Sequence, residues 1–234
     1  MTEQEKAFLK YAEDVKKRLV PYKTDIPKIR LGEDGDGGYV CADLDTHDCL
    51  YSFGSDDNIR FENAFYKKYE KPSYVYDHTI DSITNKPDHI HFFKRGILER
   101  NTIDCLIEDN GHTDCKNLCL QCDIEGWEWR TLRWAKYLKN FSQIVIEFHM
   151  AWSQDVLETL DRLNEDFVMV HIHGNNSLLR PWFDVNLPCV FEVTYVRKDL
   201  VKTMEVDYGD YPTELDAPNS CDRPDMDLKW WKVN

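Results

Sequence analysis

The sequence predicts an α/β fold: a mainly parallel sheet of seven strands, with helices on both faces and a late antiparallel strand. Three observations carry that prediction. Short runs rich in Val, Ile, Leu and Phe alternate with segments of helical periodicity, the pattern of successive βαβ units. Runs such as LCLQCDI and QIVIEFHM are near-continuously apolar, as strands covered on both faces require. The last two runs are joined by NNSLLRPWFDVNLP, which has no helical pattern, so those two strands pair antiparallel.

The elements follow in order. Phe8, Leu9, Tyr11, Ala12, Val15 and Leu19 recur at helical spacing and predict an amphipathic first helix. The loop IRLGEDGDGGYVCADL, with Gly32, Gly35, Gly37 and Gly38, precedes a short strand at Tyr39–Cys41. The seven sheet strands are then Cys49–Gly54, Ser73–Thr79, His89–Gly96, Leu118–Ile124, Gln143–Met150, Val168–Gly174 and Cys189–Lys198. Helices are expected over Phe61–Tyr69, Thr102–Asn110, Glu128–Leu138 and Gln154–Asn164. There are no repeats and no low-complexity linker.

A chain of 234 residues suits a single domain. Residues 1–28 read as a helical extension and 205–234 as a tail rich in turn formers and acids. The net charge of −14 argues against nucleic acid or an anionic membrane surface as the main partner, since both need a basic face. The clusters at Lys16–Arg18 and Phe93–Gly96 are small and read as solvated faces. No apolar run approaches the ~20 residues of a membrane span. Charges throughout MTEQEKAFLKYAEDVKKRL exclude a signal peptide there, so the eight cysteines are expected as reduced thiols in a cellular or host cytoplasm.

Cys115, Cys119 and Cys122 match C-x-x-x-C-x-x-C, a spacing that holds iron–sulfur clusters. Cys119 and Cys122, three apart on a predicted strand, point to opposite faces of the sheet and cannot converge on one cluster. A zinc site fails on the same geometry. The triplet is therefore expected to be structural.

Ligands of open α/β sheets bind beyond the carboxyl ends of the strands. After the first sheet strand come Gly54, Ser55 and Asp56, where a turn glycine admits a close backbone approach. Asp77 closes the second strand about 20 positions later, the separation at which an acidic side chain binds a ribose. Asp77 alone reads equally well as a turn or cap residue; with Gly54 it favours an adenosyl ligand.

Here the chain resembles a family. DGGYV (Asp36–Val40), YSFG (Tyr51–Gly54), GHTD (Gly111–Asp114), CDIEGWEW (Cys122–Trp129) and IVIEFH (Ile144–His149) look like the FkbM-type S-adenosylmethionine-dependent methyltransferases, over roughly residues 29–200. The most specific segment is DIEGWEW; YSFG is poorer in glycine than in many members. The resemblance implies the class I methyltransferase, Rossmann-like arrangement of seven strands. It also implies S-adenosylmethionine as cofactor, with contacts from Gly54, Ser55, Asp77, His78 and Asp36. Members are mostly O-methyltransferases of sugar or polyketide hydroxyls, and among them viral glycan-building enzymes that cap a terminal rhamnose look similar.

Methylating a hydroxyl requires a positioned acceptor and a destination for its proton. Asp123 and Glu125 close the fourth sheet strand, Glu147 and His149 the fifth, His171 and His173 the sixth. His149 is the expected base, because an imidazole ordinarily titrates near neutrality. Asp123 is expected beside the transferred methyl, and Glu147, on the same strand face as His149, as its partner. Glu125 also reads as an acid favoured by a helix start. Asp123, Glu147 and His149 could together hold Mg²⁺ or Mn²⁺. The pairs His89/His91 and His171/His173 lack a third ligand at fixed spacing and read as sheet or core histidines. Trp127, Trp129, Trp152 and the pair Trp230–Trp231 are candidate sugar-stacking walls or core. The expected partner is a carbohydrate or other hydroxyl-bearing acceptor. An NAD-dependent oxidoreductase and a non-catalytic glycan-binding module remain alternatives.

Overall fold

The computed structural model describes residues 1–97, 102–150, 153–177 and 188–228. In chain order the elements are α1 (Glu3–Lys16), β1 (Tyr22–Thr24), β2 (Lys28–Leu31), β3 (Tyr39–Ala42), β4 (Leu50–Phe53), α2 (Arg60–Tyr69), β5 (Ser73–Tyr76), β6 (Ile90–Phe93), α3 (Thr102–Asp109), β7 (Leu118–Cys122), α4 (Glu128–Arg133), β8 (Phe141–His149), α5 (Gln154–Asp166), β9 (Phe167–Gly174), β10 (Val190–Arg197) and β11 (Met204–Val206).

Seven of these strands form one mixed sheet in the order β6-β5-β4-β7-β8-β10-β9. β4 through β8 pair in parallel, whereas β10 pairs antiparallel with both β8 and β9. The late antiparallel pairing is therefore present, and β10 enters the sheet between its two predecessors. β7 and the first eight residues of β8 are buried throughout, which explains their near-continuous apolar sequences.

Two apolar layers flank the sheet. Ala12 and Val15 of α1, Ile103 and Leu106 of α3, Leu132 of α4 and Leu160 of α5 join the core on one face. On the other, Phe61 and Phe65 of α2 pack with Leu31 and Cys41 of the antiparallel β2–β3 ribbon. Cys122 lies in the first layer and Cys119 in the second, as alternation along β7 demands. Cys41, Cys49, Cys105, Cys115, Cys119, Cys122 and Cys221 are free thiols.

Local signals set several boundaries. α1 starts at a capping box in which Thr2 and Glu5 exchange side chain-to-backbone hydrogen bonds. α5 is capped by Ser153 and buries Val156, Thr159, Leu160 and Leu163 along one stripe. α4 stops at Arg133 rather than at Leu138. The backbone N–H groups of Lys136 and Tyr137 donate to the Asp104 carboxylate, which draws the chain out of the helix before a 3₁₀ turn at Leu138–Asn140.

The segment 1–28 is helical only over α1. Its end, β1, pairs antiparallel with β11, so this extension and the start of the expected tail form one ribbon. Asp25 supports that ribbon by accepting from the N–H groups of Lys202 and Thr203. Strands of three residues give too little periodicity to be read from sequence. Among the described residues no helix is long and apolar enough to cross a membrane.

Candidate functional site

The strand order reverses beside β4: the chain moves outward through β5 and β6, then returns past β4 to β7. A cleft opens at the carboxyl ends of β4, β5 and β7, where such a reversal leaves a crevice. Its walls include Gly54, Asp56, Asp77, His78, Asp123 and Trp127. Gly54 is in the left-handed region, φ +77°, and a Cβ there would sit 1.7 Å from the Asp123 carbonyl oxygen. Glycine is thus imposed by the neighbouring strand end, a requirement additional to any ligand.

At the inner side of this cleft the DIEGWEW turn meets the end of β8. The Glu128 carboxylate is fully buried and accepts from the N–H groups of Ile124 and Gly126, each at 3.1 Å. The same carboxylate lies 3.1 Å from His149 Nδ1. Trp129, stacked on Phe148, donates its indole N–H to the His149 carbonyl at 2.6 Å. Ring and backbone of His149 are both held. Its other nitrogen, Nε2, is 3.2 Å from Glu125 and 3.7 Å from Glu147.

The electrostatics follow from burying several acids around one imidazole. Burial opposes the imidazolium of His149, but the bond to Glu128 and the charges of Glu128, Asp123 and Glu125 outweigh it, raising the pKa above the ordinary value. Asp123 is pushed up to about 7, first by burial, with His149 opposing and Glu128, Glu125 and Asp36 adding to the rise. Burial, then the charges of Asp123 and Glu192, hold Glu147 well above the carboxylate range. Asn175 answers Glu147 with its amide at 3.2 Å. Asp123 Oδ1 is buried and has no hydrogen-bond partner among the described residues.

The structure brings Asp123, Glu147 and His149 together as the sequence predicts and adds corrections around them. The group whose ligand atoms all converge within 4.8 Å is Asp123, Glu128 and His149, so Glu128 replaces Glu147 in the expected metal set. Glu125 does not open the helix: at φ 55° it sits in the turn before Gly126, exposed, and leans on His149. Asp77 lines the cleft, yet one oxygen accepts from Asp56 N–H and the other from the N–H and hydroxyl of Thr79. Although burial opposes it, those bonds lower its pKa. Asp77 is thus a turn-locking residue as well as a wall. Ser55 turns its hydroxyl to the Asp56 carbonyl and is not among the lining side chains. Asp36 is exposed and acts on the acidic cluster through its charge, not as a cleft wall.

The histidine pairs serve the scaffold. His89 stacks on Tyr66 and His91 tilts against Tyr74. His171 bonds Asp216 at 2.8 Å, while His173 bridges Glu192 at 3.1 Å and Asp225 at 2.9 Å, strapping the segment 207–228 over the strand ends. Trp127 lines the cleft and Trp129 belongs to the core. Trp152, Trp230 and Trp231 lie outside the described residues.

No family model matches the chain. No curated protein matches it either. A solved structure described as "Putative hemolysin from Streptococcus thermophilus" is similar with a TM-score of 0.42 and 14% identity, over 67% of this chain and 62% of that one. The chain therefore spans less than two thirds of that structure's length, and so slight a likeness carries no argument about function.

Sequence reasoning missed Glu128 and Asn175 as site residues. Glu128 had a signal, since it is the last acid of DIEGWEW, the segment that carries the resemblance. Asn175 follows β9 directly, and nothing in its local sequence separates it from an ordinary turn residue.

Proposed function

We propose that the chain is an S-adenosylmethionine-dependent O-methyltransferase acting on a sugar or glycan hydroxyl, with a terminal rhamnose as the sharpest form of the acceptor. The observation that carries the reading is the buried, unpartnered Asp123 oxygen at the end of β7, beside a doubly anchored His149. A partnerless buried oxygen favours a site whose missing partner is a ligand.

The strand order, with β10 antiparallel between β8 and β9, supports a class I methyltransferase arrangement. The cleft suits an adenosyl group: Tyr76, Ile97, Ile124 and Trp127 offer apolar and aromatic surface to a base, and Asp56 and Asp77 offer oxygens to a ribose or an ammonium. When bound, the cofactor supplies an electrophilic methyl group. The protein's own task is to hold the acceptor oxygen in line and receive its proton. In this reading Asp123 and His149 Nε2 take these tasks, with Glu128 fixing the imidazole. Because the His149 pKa is raised, the neutral imidazole needed for proton abstraction grows as pH rises.

The acceptor side supports a polyhydroxyl. Near His149 the buried pair Glu147 with Asn175 and the part-buried pair Glu192 with Asn219 are planar polar groups of the kind that would meet hydroxyls. This reading expects no nucleic-acid partner and a cytoplasmic setting, cellular or host, where the free cysteines stay reduced.

Calorimetry with S-adenosylhomocysteine, with NAD as control, tests the proposal. Saturable binding of S-adenosylhomocysteine and none of NAD supports it and leads to a sugar-acceptor screen. Preference for NAD, or no binding, would remove it.

A further inference from the structure

We propose that Asp123, Glu128 and His149 form a binding site for one hard divalent cation of the Mn²⁺/Mg²⁺ class, at the carboxyl ends of β7 and β8. Asp123 comes from the β7–α4 turn, Glu128 opens α4 and His149 ends β8, and each offers one ligand atom within 4.8 Å of the others. Two carboxylates and one imidazole suit Mn²⁺, and Mg²⁺ accepts the same oxygens while keeping several waters.

Three features separate this site from a chance gathering of acids. Glu128 is fully buried, and the N–H groups of Ile124 and Gly126 fix its oxygens. Such outer hydrogen bonds are what orient ligating carboxylates. The backbone carbonyl of His149 is anchored by the indole of Trp129, and its ring by the Glu128 carboxylate. Asp123 Oδ1 is a buried acceptor without a donor among the described residues, and a cation satisfies it directly. Glu128 and His149 Nδ1 already approach to 3.1 Å.

Glu125 and Glu147 flank Nε2 at 3.2 and 3.7 Å and add negative field without completing the ligand set. Asp123 also lines the cleft, from which water or an acceptor hydroxyl would reach a bound ion. An ion there would polarise that hydroxyl and ease loss of its proton. This last role rests on the methyltransferase reading; the binding itself does not.

The test is Mn²⁺ binding to the metal-stripped full chain, followed by electron paramagnetic resonance and calorimetry without any cofactor. One saturable Mn²⁺ per chain is expected, with affinity falling at least about 10-fold in Asp123→Asn and in Glu128→Gln. Mg²⁺ should compete, and the exposed Asp34→Asn should bind Mn²⁺ as the wild type does. Should Glu128→Gln fail to fold, Asp123→Asn together with a Mn²⁺-dependent rise in wild-type Tm decides the question. No binding at millimolar Mn²⁺ overturns the proposal, as does equal affinity in Asp123→Asn. S-adenosylhomocysteine binding, measured separately, tells loss of this site from loss of the proposed function.

Discussion

Glu147 and Glu192 are direct register partners across β8 and β10, two acids side by side and each only 5% exposed. Like charges so placed destabilise a sheet by about 0.2–1 kcal/mol. Among the described residues Glu192 is answered by His173 and Asn219, and Glu147 by Asn175 and the more distant His149.

Glu147→Gln should therefore stabilise the metal-free fold, and the gain should depend on pH. A carboxyl whose folded pKa is raised contributes stability below its unfolded pKa, near 4.5, and loses it as pH rises through the folded value. The variant should match wild type near pH 4.5 and exceed it at pH 8 by about 1 kcal/mol, or roughly 2–4 °C in Tm. Thermal melts in chelator at the two pH values check this; an equal difference at both would refute the coupling.

Gly54→Ala should be severe. The added Cβ meets the Asp123 carbonyl at 1.7 Å and must adopt φ +77°, so backbone strain and overpacking act together. A loss of about 3–5 kcal/mol is expected, read as a large fall in the urea midpoint or as insoluble protein. Wild-type stability in this variant would mean that β4 and β7 separate more easily than their pairing suggests.

His149→Ala should leave S-adenosylhomocysteine affinity within a few-fold of wild type while lowering turnover of an identified acceptor by about 10²–10⁴. Unchanged turnover would remove His149 from the chemistry. In the wild type the rate should climb from pH 6 upward, because the raised His149 pKa delays formation of the neutral ring.

The strap over the strand ends should loosen in base and in strong acid. Burial opposes the charge of His173, but its bonds to Asp225 and Glu192 push its pKa up to about 10. Its contribution is full below the unfolded value near 6.5 and is lost as pH rises towards 10. Asp216 is held down at about 2 by its bond to His171, despite burial. That contribution is full above about 3.9 and lost as pH falls through 2. Limited proteolysis within 207–228 should be slowest near pH 5–6 and accelerate by pH 9. His173→Gln should flatten the alkaline limb.

Much of the fold could be read locally. LCLQC and IVIEF are apolar but for Gln121 and Glu147 because β7 and β8 are covered on both faces, and spacing alone placed Cys119 and Cys122 in different layers. The three-residue strands β1 and β11 escaped, since their pairing spans nearly the whole chain and depends on Asp25 reaching Lys202. Asp77 shows a different limit. Its position was legible, but a carboxylate's lone pairs go to whichever donors fold beside it, and here those are Asp56 and Thr79.

The sequence by itself determined the alternation of elements, the late antiparallel strand and the gathering of Asp123, Glu147 and His149 at adjoining strand ends, because two-residue and 3.6-residue periodicities are local properties of the chain. Only the tertiary structure decided that Glu128 grips His149, that Glu192 faces Glu147 and that β10 lies between β8 and β9. Those relations join residues distant in sequence, and they are fixed by packing and by competition for hydrogen bonds, neither of which leaves a periodic trace.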